Sequence, residues 1–268
     1  MYKVIDFLMD GNPLVSLNDQ DKTLIKPKFE NPCVATMYNL GREARYCGRY
    51  RGIFPETINI LSDTKSNEEQ KVRNITTLLR DFQVLDTHFY DAILLTERQT
   101  KLEKPIKEYL KILGSLPKLE FYVFTGSERN LTKIFFDRKI APFMPHAKTA
   151  IYATEIEAGG DRRYTGYTKE IWNPEKRAEE TRKLVHNKIS IGAGDRFNDM
   201  PMLEEVTRGF FLAEGITGYK AGEVQNDVHF IKKKDLPKEL KKFLKTDLSE
   251  LSLTVTDINT ITPLMRRV

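Results

Sequence analysis

Two carboxylates stand two residues apart in Asp19-Gln20-Asp21-Lys22-Thr23, at the end of the apolar run Leu14-Val15-Ser16-Leu17. In extended chain alternate side chains share a face, so Asp19 and Asp21 converge on one point. Close carboxylates repel each other unless a cation such as Mg²⁺ sits between them. A second acidic pair, Asp195 and Asp199, lies in Gly192-Ala193-Gly194-Asp195-Arg196-Phe197-Asn198-Asp199, directly after the apolar Ile189-Ser190-Ile191. Between the two pairs, Thr125-Gly126-Ser127 follows the apolar stretch Leu119 to Phe124, and Lys176 sits in the first turn of a helix opened by Pro174. Carboxylates suit Mg²⁺, while a hydroxyl, free backbone amides and an ammonium suit a phosphate. A D-x-D-x-T string alone would be a polar turn. Its weight comes from the three other groups, which follow in an order that chance rarely supplies.

The elements around these residues say how they meet. After about Thr100 helical and strand patterns alternate: a helix from Pro105 to Gly114, a strand from Leu119, a helix through Leu131, Ile134 and Phe135, and a short strand from Ala150 to Thr154. A hairpin over Glu157 to Thr168, the helix at Pro174, the strand at Ile189 and a strand over Arg208 to Leu212 complete the series. Such alternation predicts an α/β fold, a Rossmann-like parallel sheet flanked by helices. Ligands bind such sheets outside the carboxyl ends of the strands. Asp19 with Asp21, Thr125, and Asp195 with Asp199 each follow an apolar strand, so one edge of the sheet receives them all.

Between residues 26 and 100 the spacing is helical instead. The clearest helix starts at Ser66 with Glu69 as a capping box, and Val72, Ile75, Leu79 and Phe82 share a face. Ahead of it Arg42, Arg45, Arg49 and Arg51 interleave with Tyr46 and Tyr50, either a solvated face or an anion-binding surface. Val4 to Met9 reads as a strand, and Asp10-Gly11-Asn12 after it as turn chemistry rather than a second acidic motif. The expected organisation is a core over residues 12–25 and 101–246, a mainly helical cap over 26–100 inserted after the first acidic motif, an N-terminal extension over 1–11 and a tail over 247–268.

The chain has 268 residues, 40% hydrophobic and 30% charged, the balance of a soluble globular protein. Its 43 basic against 38 acidic residues give a net +5, which favours an anionic substrate without by itself arguing nucleic acid. The two cysteines, Cys33 and Cys47, and the scattered histidines have no metal-ligand spacing, which makes a zinc site a poor reading. No apolar run is long enough to span a bilayer and no basic-then-apolar leader opens the chain, so a cytoplasmic setting without membrane contact is expected.

The sequence resembles the haloacid dehalogenase-like superfamily of phosphatases, and in its second half the phosphoserine-phosphatase-like branch. Asp19-Gln20-Asp21-Lys22-Thr23 is similar to the first motif, Thr125-Gly126 to the second, Lys176 in NPEKRAEETRKLV to the third, and GAGDRFNDMPML, with Asp195 and Asp199, to the fourth. The resemblance covers roughly residues 14–24 and 119–232. It implies a Mg²⁺-dependent phosphatase acting on a small phosphorylated metabolite. Asp19 would be the nucleophile and Asp21 the general acid and base. Mg²⁺ would be held by Asp19, Asp195 and the Asp21 carbonyl, with Asp199 on metal-bound water or orienting Lys176. Thr125, the Gly126 amide and Lys176 would hold the transferring phosphate, Lys169 being the alternative for the lysine, and Arg45, Arg49 and Arg51 of the cap would contact the substrate. Lys22, Arg196 and Phe197 depart from the family pattern, being charged or bulky where small residues are usual. Two other readings stay open: a nucleic-acid end phosphatase gripping a strand with the arginine–tyrosine segment, and a non-catalytic phospho-ligand-binding module.

Overall fold

In the computed structural model, residues 2–20, 23–25, 31–46, 48–213 and 220–251 are described. Asp21, Lys22 and Cys47 lie outside them. Eight strands form a single sheet in the order β4-β3-β2-β1-β5-β6-β8-β7. The central strands are β1 (Leu14–Asp19), β2 (Leu119–Glu128), β3 (Lys148–Ala158), β5 (Ile189–Gly194), β6 (Arg208–Leu212) and β8 (Val228–Ile231), and neighbours among them run parallel. β4 (Tyr164–Glu170) and the two-residue β7 (Val224–Gln225) close the edges in antiparallel pairing. The strands buried on both faces are continuous apolar runs, as a parallel sheet covered by helices demands. All six residues of β1 and all six of β5 are buried.

The expected α/β architecture is therefore present, and β1, β2 and β5 fall where the sequence placed them. Register brings the acidic and hydroxyl groups to one edge: Asp19 pairs with Phe124, so Thr125 lies one step beyond it, while Asn18 pairs with Ala193, so Asp195 lies just past the same edge.

A helical insert follows β1. It comprises α2 (Pro32–Arg42), α3 (Ile53–Ser62), α4 (Glu68–Asp81) and α5 (Asp86–Gln99), after which α6 (Lys104–Gly114) leads back to β2. Asn31 caps α2 by accepting from the amides of Cys33 and Val34. The cap of α4 is Asn67, whose Oδ1 accepts from the Gln70 amide at 2.8 Å, not Ser66, whose hydroxyl bonds Asp63 instead. On the expected face of α4, Ile75 and Leu79 are buried.

Two local readings are corrected. Val4–Met9 is a helix, α1, with Val4, Phe7 and Leu8 buried against the core at helical spacing. The β-branched start suggested a strand, but the i, i+3, i+4 spacing of the buried residues prevails. The strand expected over Ala150–Thr154 and the hairpin after it are one structure: β3 pairs with β2 through its first half and with β4 through its second. The hairpin runs on to meet the insert. Tyr164 donates its amide to the Val84 carbonyl, and the Thr168 hydroxyl donates to Thr76 of α4. The remaining helices, α7 (Arg129–Phe135), α8 (Pro174–Val185), the short α9 (Met200–Leu203) and α10 (Leu236–Leu244), follow strands or flank the sheet.

Candidate active site

Asp19, Asp195 and Asp199 converge at the carboxyl ends of β1 and β5. Each offers a carboxylate oxygen within 4.8 Å of the other two. Asp199 reaches back to the strand end, its Oδ2 accepting from the amides of Asp195 and Arg196 at 3.0 Å. That return leaves no room at position 194 for a side chain, since a Cβ on Gly194 would lie 2.6 Å from that of Asp199. The Thr23 hydroxyl donates to Asp195 Oδ1 at 2.8 Å.

The electrostatics follow from this crowding. Burial, and then repulsion from Asp199, push the Asp195 carboxyl up to about 6, against the Thr23 hydrogen bond and the charge of Arg196. Burial also raises Asp199, which the Arg177 guanidinium opposes. Closely set buried carboxylate oxygens are the donor set that a hard divalent cation such as Mg²⁺ takes, so these residues fit the metal the sequence called for.

Among the described residues, the buried cation facing this cluster is Arg177. It is 2% exposed. Its Nη1 donates to Asp199 Oδ1 at 3.0 Å and lies 3.9 Å from Asp19 Oδ1, its Nη2 donates to Glu68 Oε1 at 3.1 Å, and its Nε donates to the Trp172 carbonyl. Burial alone would lower the guanidinium pKa, but Glu68, Asp199 and Asp19 together raise it. Lys176, the lysine singled out in the sequence, is turned away: its Nζ donates to Glu170 Oε1 at 2.6 Å and lies over the Trp172 ring. One residue on a helix is a rotation of about 100°. The buried positions of α8 are Arg177, Ala178 and Thr181, and Lys176 lies off that stripe. Lys169 approaches Glu155.

Thr125 is fully buried, and its hydroxyl accepts from the Ser127 amide at 3.1 Å. Gly126 lies against the cluster, and a Cβ there would meet Glu68 Oε1 at 2.8 Å and Arg177 Nη2 at 3.4 Å. Glu68 is the contribution that sequence reasoning missed. It comes from the first turn of α4 in the insert and also accepts from Asn198 Nδ2 at 2.8 Å, so the insert touches the core at the site itself. No local signal marks it, because its partners lie more than a hundred residues away.

A cavity of about 830 Å³ opens between insert and core. Asp19, Gly126, Glu68, Arg177, Arg196 and Asn198 line its polar part. Arg45, Arg49 and Arg51 do not line it. Arg45 bonds Glu43 and Asp91, and Arg49 lies over the Tyr50 ring. Asp21 lies outside the described residues.

No protein-family model and no curated protein matches the sequence. Solved structures do resemble the fold. A phosphoserine phosphatase in apo form superposes with a TM-score of 0.59 at 20% identity, covering 86% of this chain and 98% of its own. A HAD-family hydrolase from Salmonella enterica serovar Typhi gives 0.58 at 18% identity, over 88% of this chain and 72% of its own. A phosphoserine phosphatase from T. onnurineus gives 0.55 at 13% identity, over 86% and 95%. Identities this low establish shared architecture rather than shared substrate. The chain has the fold of the haloacid dehalogenase-like hydrolases, with its helical insert placed after the first strand.

Proposed function

We propose that the protein is a Mg²⁺-dependent phosphatase that hydrolyses a phosphate monoester through an aspartyl-phosphate on Asp19, acting in the manner of the phosphoserine-phosphatase-like branch. The observation that carries this reading is the Asp19–Asp195–Asp199 cluster, with Asp19 and Asp199 buried and Asp195 partly so, facing Arg177 at the edge of the parallel sheet. Asp19, Asp195 and the Asp21 carbonyl would hold Mg²⁺, which when bound offsets the repulsion between nucleophile and phosphate.

The remaining chemistry belongs to the chain. An Asp19 carboxylate oxygen attacks phosphorus while the ester P–O bond breaks, and Asp21 gives its proton to the departing alkoxide. Asp21 then takes a proton from the water that attacks the aspartyl-phosphate, the P–O bond to Asp19 breaks, and inorganic phosphate leaves. Thr125, the Gly126 amide and Arg177 surround the transferring oxygens, with Arg177 in the role first sought for Lys176. Asp199 orients Arg177 by its 3.0 Å hydrogen bond. The insert serves as the cap, and residues 26–100 form it.

The test is phosphate release from a panel of phosphate monoesters. Activity should require Mg²⁺, vanish on chelation, and return little with Ca²⁺, whose looser coordination misplaces the attacking oxygen. Asp19→Asn should lower turnover by on the order of a thousandfold or more while the protein still folds. Turnover by Asp19→Asn at more than a few percent of the parent refutes the covalent route.

A further inference from the structure

The cavity carries more information than the carboxylates at one end. Away from them its wall has an apolar stretch, Val72 and Ile75 of α4 and Ile156 of β3, interrupted by Thr76 and Thr154 and backed by the fully buried Met37 of α2, Leu79 of α4 and Phe89 of α5. Met37, Ile75, Leu79 and Phe89 belong to the main hydrophobic core, and Ile156 packs against it, so the apolar stretch is the outer edge of that core rather than scattered side chains. The two surfaces meet at the first turns of α4, where Glu68 faces the aspartates and Val72, one turn later, faces the apolar wall.

Charge argues in the same direction. Among the described residues that line the cavity, Lys71 donates its ammonium to the Leu61 carbonyl at 3.0 Å, and Arg177 is held by Asp199, Glu68 and the Trp172 carbonyl. Glu68, Glu69, Glu128 and Glu175 also line it. A leaving group bearing a carboxylate or a second phosphate would meet that acidic lining with Lys71 and Arg177 already committed and with the charge of Arg196, the third cation on the lining, acting on Asp195 and Asp199. A leaving group rich in hydroxyls would lose its water against an apolar wall, at a cost of several kcal/mol in such surroundings unless bonded again. A volume of about 830 Å³ lies within the roughly 300–1,000 Å³ of sites for drug-sized ligands, well beyond what the phosphate itself fills.

We propose that the substrate is a phosphate monoester of an apolar alcohol, aliphatic or aromatic, whose hydrocarbon body lies along the α4–β3 stretch while its phosphate meets Asp19. The proposal rests on the phosphatase reading above. It replaces the phospho-amino acid that the fold relatives suggest with a substrate set by this chain's own lining.

The experiment is a ladder of ethyl, butyl, hexyl and benzyl phosphates, run with Mg²⁺ beside phosphoserine and a hexose phosphate. Burial of each methylene is worth up to about fourfold in kcat/KM, so hexyl phosphate should exceed ethyl phosphate by more than about tenfold, and phosphoserine should be among the poorest. Val72→Asp, at a half-buried position, should lower kcat/KM for hexyl phosphate at least about tenfold more than for ethyl phosphate. Thermal unfolding of the variant shows that it is folded. A ladder that is flat or falls with chain length, or a preference for phosphoserine, overturns the apolar substrate while leaving the phosphatase reading standing. Turnover of none of the esters by the metal-loaded protein overturns both.

Discussion

The aspartate–arginine cluster at the sheet edge and the arginine–tyrosine segment between α2 and α3 use similar side chains and hold them in opposite ways. Arg177 is 3% exposed at its side chain and bonds groups from four separate segments of the chain, at residues 19, 68, 172 and 199. Arg45 is 63% exposed and finds its nearest acid two residues away, with Asp91 further off. The aromatic partners in that segment are equally local: Arg42 lies over Tyr38, Arg45 over Tyr46 and Arg49 over Tyr50. Density of charge in sequence is therefore the weaker guide. A charge acquires chemical force where burial lowers the dielectric and the fold directs other charges onto it.

The largest effect that would break this contrast lies at Arg177. Arg177→Lys keeps the charge but replaces a planar fork by a point charge, which cannot bond Asp199, Glu68 and the Trp172 carbonyl together. We expect kcat to fall by about 100-fold or more, as for loss of one donor to a transferring oxyanion. Arg177→Ala should go further and cost about 3–5 kcal/mol of stability, because it leaves buried carboxylates without their counter-charge. Steady-state kinetics and thermal melts of both variants check this. A fully active Arg177→Lys would reduce the guanidinium to a strut.

Glu68 comes next. Its carboxylate lies against Gly126 and Arg177, beside the place where a phosphate would bind, and it competes with that anion for Arg177 Nη2. Glu68→Gln should bind inorganic phosphate roughly tenfold more tightly as a competitive inhibitor, since a like charge a few ångström away is costly even at an effective dielectric of roughly 20. An unchanged inhibition constant with a lowered melting temperature would show that Glu68 only fastens the insert to the core.

These residues also mark how far the sequence could be read. The meeting of Asp19, Thr125 and Asp195 at one sheet edge was legible because each comes at the end of an apolar run, and parallel pairing brings strand ends together whatever the helices do. The sequence analysis weighed Lys176 against Lys169, and the burial of Arg177 was open to the same kind of reasoning. Ala178 and Thr181 set the buried stripe of α8, and Arg177 lies on it while Lys176 does not. Helical phase was not weighed in singling out Lys176. Glu68 was beyond reach, since its meaning depends on Arg177 and Asn198, more than a hundred positions away. The strands β7 and β8 and the helix α10 also went unread, because β7 is two residues long and the four of β8 carry little pattern. At α1 the β-branched residues misled where burial spacing would not have.

Lys176 supplies a smaller effect on the same comparison. Its side chain is 40% exposed, with the ammonium paired with Glu170 and set over Trp172. Such contacts are worth little at a surface, so Lys176→Ala should change kcat/KM by less than about threefold. A loss matching that of Arg177→Lys would move the phosphate-binding cation back to position 176.

The smallest effect is expected at the arginines between α2 and α3. Arg45, Arg49 and Arg51 are exposed, and none of them lines the cavity between insert and core. At about 0.15 M salt the Debye length is roughly 8 Å, so exposed charges outside the cavity reach a bound ester only weakly. Changing Arg45, Arg49 and Arg51 together to Ala should leave kcat/KM for a preferred ester within about twofold and leave the ratio between long and short alkyl phosphates unchanged. The comparison breaks if KM rises several-fold for one substrate and not for a small aryl phosphate, because that selectivity would require the arginines to reach the leaving group. A loss that is equal for all substrates and disappears at high salt would instead be long-range steering of anions toward the cavity, an effect on association rate that needs no contact at all.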